Sequence, residues 1–142
     1  MPTGTQALTI AALLSATAAL AHLACIALGP PAYRLMGAGE RMARAAAAGN
    51  PRATRVTLAI SAMLLLWAAY ALSGAGIVGA LPLTRPALVL ISAVYLARAL
   101  AFPWLKPVFP ENSDTFWWVS SGICACIGLV HAYGTFAMWH TL

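Results

Sequence analysis

Four long apolar runs, separated by short polar connections, dominate the chain. They cover residues 7–28, 54–73, 86–102 and 115–138. At a rise of 1.5 Å per residue, each run has roughly the length that crosses about 30 Å of hydrocarbon. The pattern therefore predicts an all-α integral membrane protein, a bundle of four transmembrane helices that forms a single domain over residues 1–142.

Residues that stop or cap helices mark the ends of the runs. Gly29-Pro30-Pro31 follows the first run and cannot continue a helix, and Pro103 stops the third. Pro86 occupies the favourable first turn of the third run, and Ser113 and Asp114 are N-cap candidates for the fourth. Because the third run is the shortest, we expect it to tilt less or to thin the bilayer locally.

The first run differs from a secretory signal peptide. No lysine or arginine precedes it, and it is longer than the usual apolar region of about 7–15 residues. We therefore interpret it as a membrane span that the protein retains.

The connection between the first two runs predicts a short helix. Glu40 to Ala48 is rich in helix formers, Glu40 and Arg44 form a favourable i, i+4 pair, and Gly49-Asn50-Pro51 ends the segment. We expect this helix to lie at the cytoplasmic interface, although it could also extend the second span. Four residues of this connection are candidates for contact with lipid headgroups: Arg34, Glu40, Arg41 and Arg44.

The distribution of basic residues sets the predicted orientation. The first connection holds five arginines and the third holds Lys106, whereas the second holds only Arg85. The positive-inside rule then places the first and third connections in the cytoplasm and both termini outside. Four tryptophans fall at run ends, as an aromatic belt requires: Trp104, Trp117, Trp118 and Trp139. We expect the protein in the inner membrane of a bacterium.

Composition excludes a soluble or disordered chain. Of 142 residues, 62% are hydrophobic and 8% are charged, and the mean hydropathy is +0.84. Soluble domains carry about 25% charged residues, and disordered chains are far less hydrophobic. The net charge of +5 does not indicate nucleic-acid binding, because its arginines cluster beside apolar runs, where they contact lipid phosphates. The three cysteines all lie in apolar runs and give no disulfide framework.

Three ionisable side chains interrupt the apolar runs: His22, Arg98 and His131. Such groups are costly in a bilayer, so they mark functional candidates that face the bundle interior. Counting from the centre of each run places His22 and Arg98 about 6 Å toward the cytoplasm and His131 roughly 6–7 Å toward the outside. We therefore expect two separate polar zones.

The inner zone groups polar residues of the cytoplasmic half: His22, Cys25, Tyr95, Arg98 and Cys124. The outer zone groups Tyr70, His131 and His140. Five of these are the candidates for binding a substrate: His22, Tyr70, Tyr95, Arg98 and His131. Since no acid lies within a run, Arg98 needs a folded-back carboxylate, an anion or a lipid phosphate, or it extends to the interface. A purely structural role is the alternative for each histidine.

We do not expect the same residues to form a cofactor site. Axial haem ligands flank one iron, whereas His22 and His131 lie about 12 Å apart along the membrane normal. His22, Cys25 and Cys124 include metal-ligand types but lack a ligand-spacing motif. No intramembrane carboxylate could orient a histidine for hydrolysis. We therefore predict no metal and no cofactor.

The stretch Glu40-Arg41-x-x-Arg44-Ala45 resembles the membrane-associated eicosanoid and glutathione metabolism family. Members of that family are small four-span trimers with a basic cytoplasmic loop, and the resemblance implies that architecture here. The family's Asn-x-x-Glu is absent, because Arg52-Ala53 come soon after Asn50. The likeness covers six residues and the architecture, and membership is not inferred from it.

Three functional hypotheses remain open. Small residues in the spans favour tight helix packing and a homo-oligomer, which suits a transporter or channel for a small solute. An arginine without an intramembrane acid favours an anionic solute. The alternative is a membrane-embedded enzyme or binding protein for a lipid or lipophilic substrate, and the third is a structural accessory subunit. Membrane lipids are the expected partners, and nucleic acid is not.

Overall fold

The computed structural model describes residues 3–142, and every regular element within them is helical. The all-α prediction is therefore confirmed for this part of the chain. Seven helices follow one another: α1 (Thr3–Leu28), α2 (Pro30–Leu35), α3 (Glu40–Ala47), α4 (Pro51–Gly74), α5 (Thr84–Leu100), α6 (Phe102–Leu105) and α7 (Asp114–Ala137).

Three of these helices, α1, α4 and α7, are long and apolar enough to cross a membrane. The fourth predicted span corresponds to α5, which has 17 residues and is not among the three. Helices α4 and α7 begin before the apolar runs, at Pro51 and Asp114, because polar caps precede them. Asn50 accepts a hydrogen bond from the backbone N–H of Arg52 (2.9 Å), and Ser113 accepts one from Phe116 (3.1 Å).

The long helices pack as one bundle. Helix α1 packs against α4 and α7, while α5 packs against α7 and, less extensively, α4. Small residues allow the close approach: a Cβ on Gly134 would lie 2.7 Å from Leu8, and one on Gly128 would lie 2.9 Å from Leu96. The interior consists mainly of alanine with a few large side chains, including Leu8 and Leu88, which are fully buried.

The basic end of the bundle is formed by the connections 29–50 and 101–113. These two connections contact each other directly. The Asn112 side-chain amide donates to the Gly37 carbonyl (3.1 Å), and the Glu111 carboxylate accepts from the backbone N–H of Glu40. The Phe116 ring covers Gly37, which has a left-handed backbone conformation (φ +71°) that glycine adopts without strain.

The opposite end, called the Arg85 end, contains residues 75–83 with residues 3–5 and 138–142. Arg85 donates to the Leu142 carbonyl (2.9 Å), and Tyr70 donates to the Pro82 carbonyl (3.2 Å). The Thr5 hydroxyl lies 3.8 Å from the Met138 sulfur. Helices α1, α4, α5 and α7 therefore all run between the same two ends.

The predicted short helix in the first connection is present as α3. It does not extend the second span, because Gly49 (φ +67°) ends it and Pro51 begins α4. The face of α3 that carries Ala43 is buried against Tyr33 and Ala53. Helix α2 was not predicted: Gly29 ends α1, but Pro30 is also well suited to the first turn of a new helix.

Candidate functional site

Arg98 lies on the last turn of α5 and is partly buried against the first turns of α7. Its Nη2 donates a hydrogen bond to the Ser120 hydroxyl (3.3 Å). Its guanidinium carbon lies 5.4 Å from the centre of the Trp117 ring, within cation–π range. One arginine is thus held between two helices by a hydroxyl and an aromatic face.

Three buried polar atoms of α5 and α7, two of them on Arg98 and Trp117 themselves, have no hydrogen-bond partner within residues 3–142. They are Arg98 Nη1, Trp117 Nε1 and Ser121 Oγ. The whole Trp117 and Ser121 side chains are nearly buried, at 3% and 7% exposure. An unpartnered buried donor costs about 1–3 kcal/mol. Arg98, Trp117, Ser120 and Ser121 are together called the Arg98 site.

The first of the three acidic residues is engaged away from Arg98. Glu40 pairs with Arg34 (2.9 Å) and with Arg44 (3.3 Å) at the basic end. The hydrogen bond from Arg34 is the main reason that the pKa of the Glu40 carboxyl falls from 4.5 to about 2. Glu40 is therefore fully ionised at neutral pH and neutralises charge within its own connection.

The other two acids also have partners other than Arg98. Asp114 forms an ion pair with Lys106. Glu111 accepts from the backbone N–H of Glu40, which lowers the pKa of the Glu111 carboxyl below its usual value. Because the chain contains three acids in all, Arg98 has no carboxylate partner in the described part of the chain.

A second group of polar side chains, the central cluster, lies deeper in the bundle. It consists of Ser15, Trp67, Tyr95 and His131. The Tyr95 hydroxyl is 2.9 Å from the Ser15 hydroxyl, its ring stacks on His131 at 5.4 Å, and Trp67 packs edge-on at 5.1 Å. The cluster thus joins all four long helices.

His131 is fully buried in the central cluster, as is Ser15. Its Nδ1 lies 2.9 Å from the Ile127 carbonyl, an acceptor, so the hydrogen bond assigns the proton to Nδ1. Nε2 then carries a lone pair and has no hydrogen-bond partner within residues 3–142. The ring also stacks on Tyr95, with ring centres 5.4 Å apart.

The division into two polar zones needs correction. Tyr95 was expected beside His22 and Arg98, but its ring stacks on His131, which was expected in the outer zone. Depth counted along the backbone ignores the reach of a tyrosine side chain, and this reach brings the ring to His131. Arg98, in contrast, extends toward Ser120 at the basic end.

The remaining candidates lie apart from both groups. His22 Nδ1 is 2.7 Å from the Ala18 carbonyl of its own helix, and no hydrogen bond joins His22 to Arg98 in the described residues. Tyr70 contacts Pro82 at the Arg85 end. The five predicted substrate-binding residues therefore do not form one site.

Several residues of these groups were not predicted as site residues. The sequence assigns Trp117 to an aromatic belt, and it gives no prediction for Ser15 or Trp67. The spacing of Trp117, Ser120 and Ser121, which puts all three on neighbouring turns of α7, is the signal that could have identified them. The partner helix and its rotation were needed to bring Arg98 against this face.

Hydrogen-bond donors dominate the chemistry of the Arg98 site. Within residues 3–142, no group of three His, Cys, Asp or Glu side chains could hold a metal ion, and the three cysteines are free. Arg98, Trp117 and Ser121 instead supply hydrogen-bond donors beside a permanent positive charge.

Comparison of the chain with known protein families, with curated proteins and with solved structures finds no match. The resemblance of Glu40–Ala45 to the eicosanoid and glutathione metabolism family therefore rests on those residues and the helical architecture alone.

Proposed function

We propose that the protein is a four-span membrane protein that binds an anion at the Arg98 site. The observation that carries this proposal is an arginine without a carboxylate partner within residues 3–142, beside two nearly buried donors that are also unpartnered. A guanidinium stays charged at any physiological pH, so an anion is the ligand that offsets both its charge and its free donors.

The four-span arrangement is supported by the position of α5. This helix runs between the same two ends of the bundle as α1, α4 and α7, and its 17 residues extend over about 26 Å. Leu90 and Leu100 are 65% and 72% exposed on its surface, as lipid-facing side chains would be. The short α6 continues the chain beyond α5 at the basic end.

The charge distribution supports a cytoplasmic location for the basic end. Seven of the eight lysines and arginines lie there: Arg34, Arg41, Arg44, Arg52, Arg55, Arg98 and Lys106. Arg85 alone lies at the opposite end. Location in a bacterial inner membrane and contact of α3 with lipid headgroups remain predictions.

Thiol labelling tests the span count and the orientation together. In a variant whose native cysteines are alanine, Ala80→Cys and Val108→Cys introduce exposed thiols on either side of α5. An impermeant reagent added to intact cells should label only Ala80→Cys. Labelling of both positions, or of neither until the cells are opened, would contradict a membrane-spanning α5.

Anion binding is tested by titrating phosphate, sulfate and acetate into the purified protein in a neutral detergent, with tryptophan fluorescence as the readout. Arg98→Gln should weaken the response by about tenfold or more, because a charge-assisted hydrogen bond contributes about 1.5–3 kcal/mol. Arg55→Gln is the matched control, since Arg55 is an exposed arginine at the same end. Equal responses of the wild type and Arg98→Gln would reject the proposal.

Transport of the bound anion by a homo-oligomer is the second candidate function. It is favoured by buried polar side chains that continue from the Arg98 site toward the Arg85 end: Ser121, Tyr95, Ser15, His131, Ser92 and Thr135. Efflux of the same anions from proteoliposomes tests it. Arg98-dependent binding without Arg98-dependent efflux would leave binding as the function and reject transport.

A further inference from the structure

We infer that the anion bound at the Arg98 site is a phosphate group, carried by a lipid of the leaflet at the basic end. This inference rests on the proposed function, because it names the ligand of the same site. Three arguments support it: the number of free donors, the depth of the site and the apolar surface around it.

The free donors come from two helices and three chemical groups. Arg98 Nη1 belongs to α5, whereas Trp117 Nε1 and Ser121 Oγ belong to α7. A carboxylate has two oxygens in one plane. A lipid phosphodiester also carries its charge on two oxygens, but its two ester oxygens add weaker acceptors and complete a tetrahedron around phosphorus, so it can serve donors that approach from separate helices. The donor set thus favours a phosphate over a carboxylate.

The site begins near the level where the helices end. Its deepest member, Ser121, lies seven residues inside α7, which corresponds to about 10–11 Å. Arg98 is two residues before the end of α5, and Trp117 is three residues after the start of α7, which corresponds to about 3 Å and about 5 Å along the axes. In a four-span bundle, this level is the boundary between acyl chains and headgroups. A lipid phosphate lies next to this boundary, and arginine is well suited to bind it in two-pronged geometry.

Apolar side chains beside the site offer a surface for acyl chains. Trp118 and Val119 follow Trp117 on α7 and are 68% and 56% exposed, and Leu100 follows Arg98 on α5. Phe102 packs against Trp118 with ring centres 5.2 Å apart. A lipid whose phosphate binds at Arg98 would therefore cover these side chains with its acyl chains, whereas a soluble anion would not contact them.

Isothermal titration calorimetry in dodecyl maltoside distinguishes the ligands. The probes are dihexanoyl phosphatidylglycerol, octanoate as a carboxylate with an acyl chain, and inorganic phosphate. We expect the phospholipid to bind about tenfold or more tightly than octanoate, and Arg98→Gln to remove that difference, whereas Arg55→Gln preserves it.

Arg98→Lys provides a second variant in case Arg98→Gln folds poorly. Lysine keeps the positive charge but lacks the planar guanidinium group with its paired N–H donors. Phospholipid binding should therefore weaken several-fold rather than vanish. Equal Arg98-dependent binding of octanoate would overturn the phosphate inference and leave anion binding intact. Absence of Arg98-dependent binding for every probe would overturn both. If inorganic phosphate binds as tightly as the phospholipid, the ligand is a phosphate group, and its assignment to a lipid is overturned.

Discussion

The carboxylate of Glu111 accepts a hydrogen bond from the backbone N–H of Glu40, although 71 positions separate these residues along the chain. Glu40 is the first residue of α3, so Glu111 places a negative charge at the N-terminus of that helix, where the helix dipole favours it. This contact joins the two connections of the basic end. It also holds both acids away from Arg98.

Acid should loosen this contact between the two connections. The pKa of Glu40 is lowered to about 2 in the folded protein, chiefly by its hydrogen bond with Arg34, and that of Glu111 is lowered as well. A lowered folded-state pKa gives stability that is present above the unfolded value of 4.5 and is lost as the pH falls toward the folded value. The protection factors of the α3 amides, which correct for the pH dependence of intrinsic exchange, should therefore fall below about pH 4.5. Protection in Glu40→Gln should depend less on pH in this range, and an unchanged profile would contradict the assignment.

Gly37→Ala should destabilise the basic end more than Gly49→Ala. Both glycines have positive φ, +71° and +67°, so each substitution introduces comparable backbone strain of about 1 kcal/mol. A Cβ on Gly37 would also lie 2.0 Å from the Phe116 ring, whereas nothing lies within 4 Å of one on Gly49. We expect Gly37→Ala to lower the free energy of unfolding by about 1–3 kcal/mol more than Gly49→Ala does, measured by thermal unfolding in detergent. Equal losses would show that Phe116 moves aside freely.

Local sequence signals account for most of the helix ends. Asn50 and Ser113 cap α4 and α7, and Gly49 separates α3 from α4. Such ends can be predicted because caps and left-handed glycines depend on a few neighbouring residues. The stacking of Tyr95 on His131 depends instead on how α5 and α7 are rotated against each other. That rotation is set by close contacts such as Gly128 with Leu96, which sequence spacing in one chain does not reveal.

The homo-oligomer prediction rests on small residues, some of which the structure places inside one protomer. Ala11, Ala19 and Ala71 are fully buried in the bundle, and Gly134 packs against Leu8. Other small residues of the spans, including Ala62, Ala93 and Gly122, are exposed, so the homo-oligomer stays a prediction. Native mass spectrometry in detergent is the direct measurement of subunit number.

Replacing His131 should separate packing from a functional role of the imidazole. His131→Phe keeps a ring against Tyr95 and removes the unpartnered Nε2, so the folded protein should be about as stable as the wild type. His131→Ala leaves a cavity and should cost about 2 kcal/mol or more. If transport is the function, His131→Phe should fold normally and lose efflux, because its ring can neither donate nor accept a hydrogen bond. Retained efflux in this variant would assign His131 to packing alone.

Ser121→Ala should weaken ligand binding without destabilising the unliganded protein. The Ser121 hydroxyl is nearly buried and has no hydrogen-bond partner within residues 3–142, so its removal relieves a desolvation penalty. Ser15→Ala is the matched control, since it removes a buried serine that is bonded to Tyr95 (2.9 Å) and leaves the phenol unpartnered. We expect Ser15→Ala to lower the free energy of unfolding by about 1–3 kcal/mol and Ser121→Ala to leave it unchanged or slightly raised. In phospholipid titrations the order should reverse, with Ser121→Ala binding several-fold more weakly and Ser15→Ala binding as the wild type does. A Ser121→Ala variant that loses stability but keeps its affinity would show that this hydroxyl supports the helix contact and does not face a ligand.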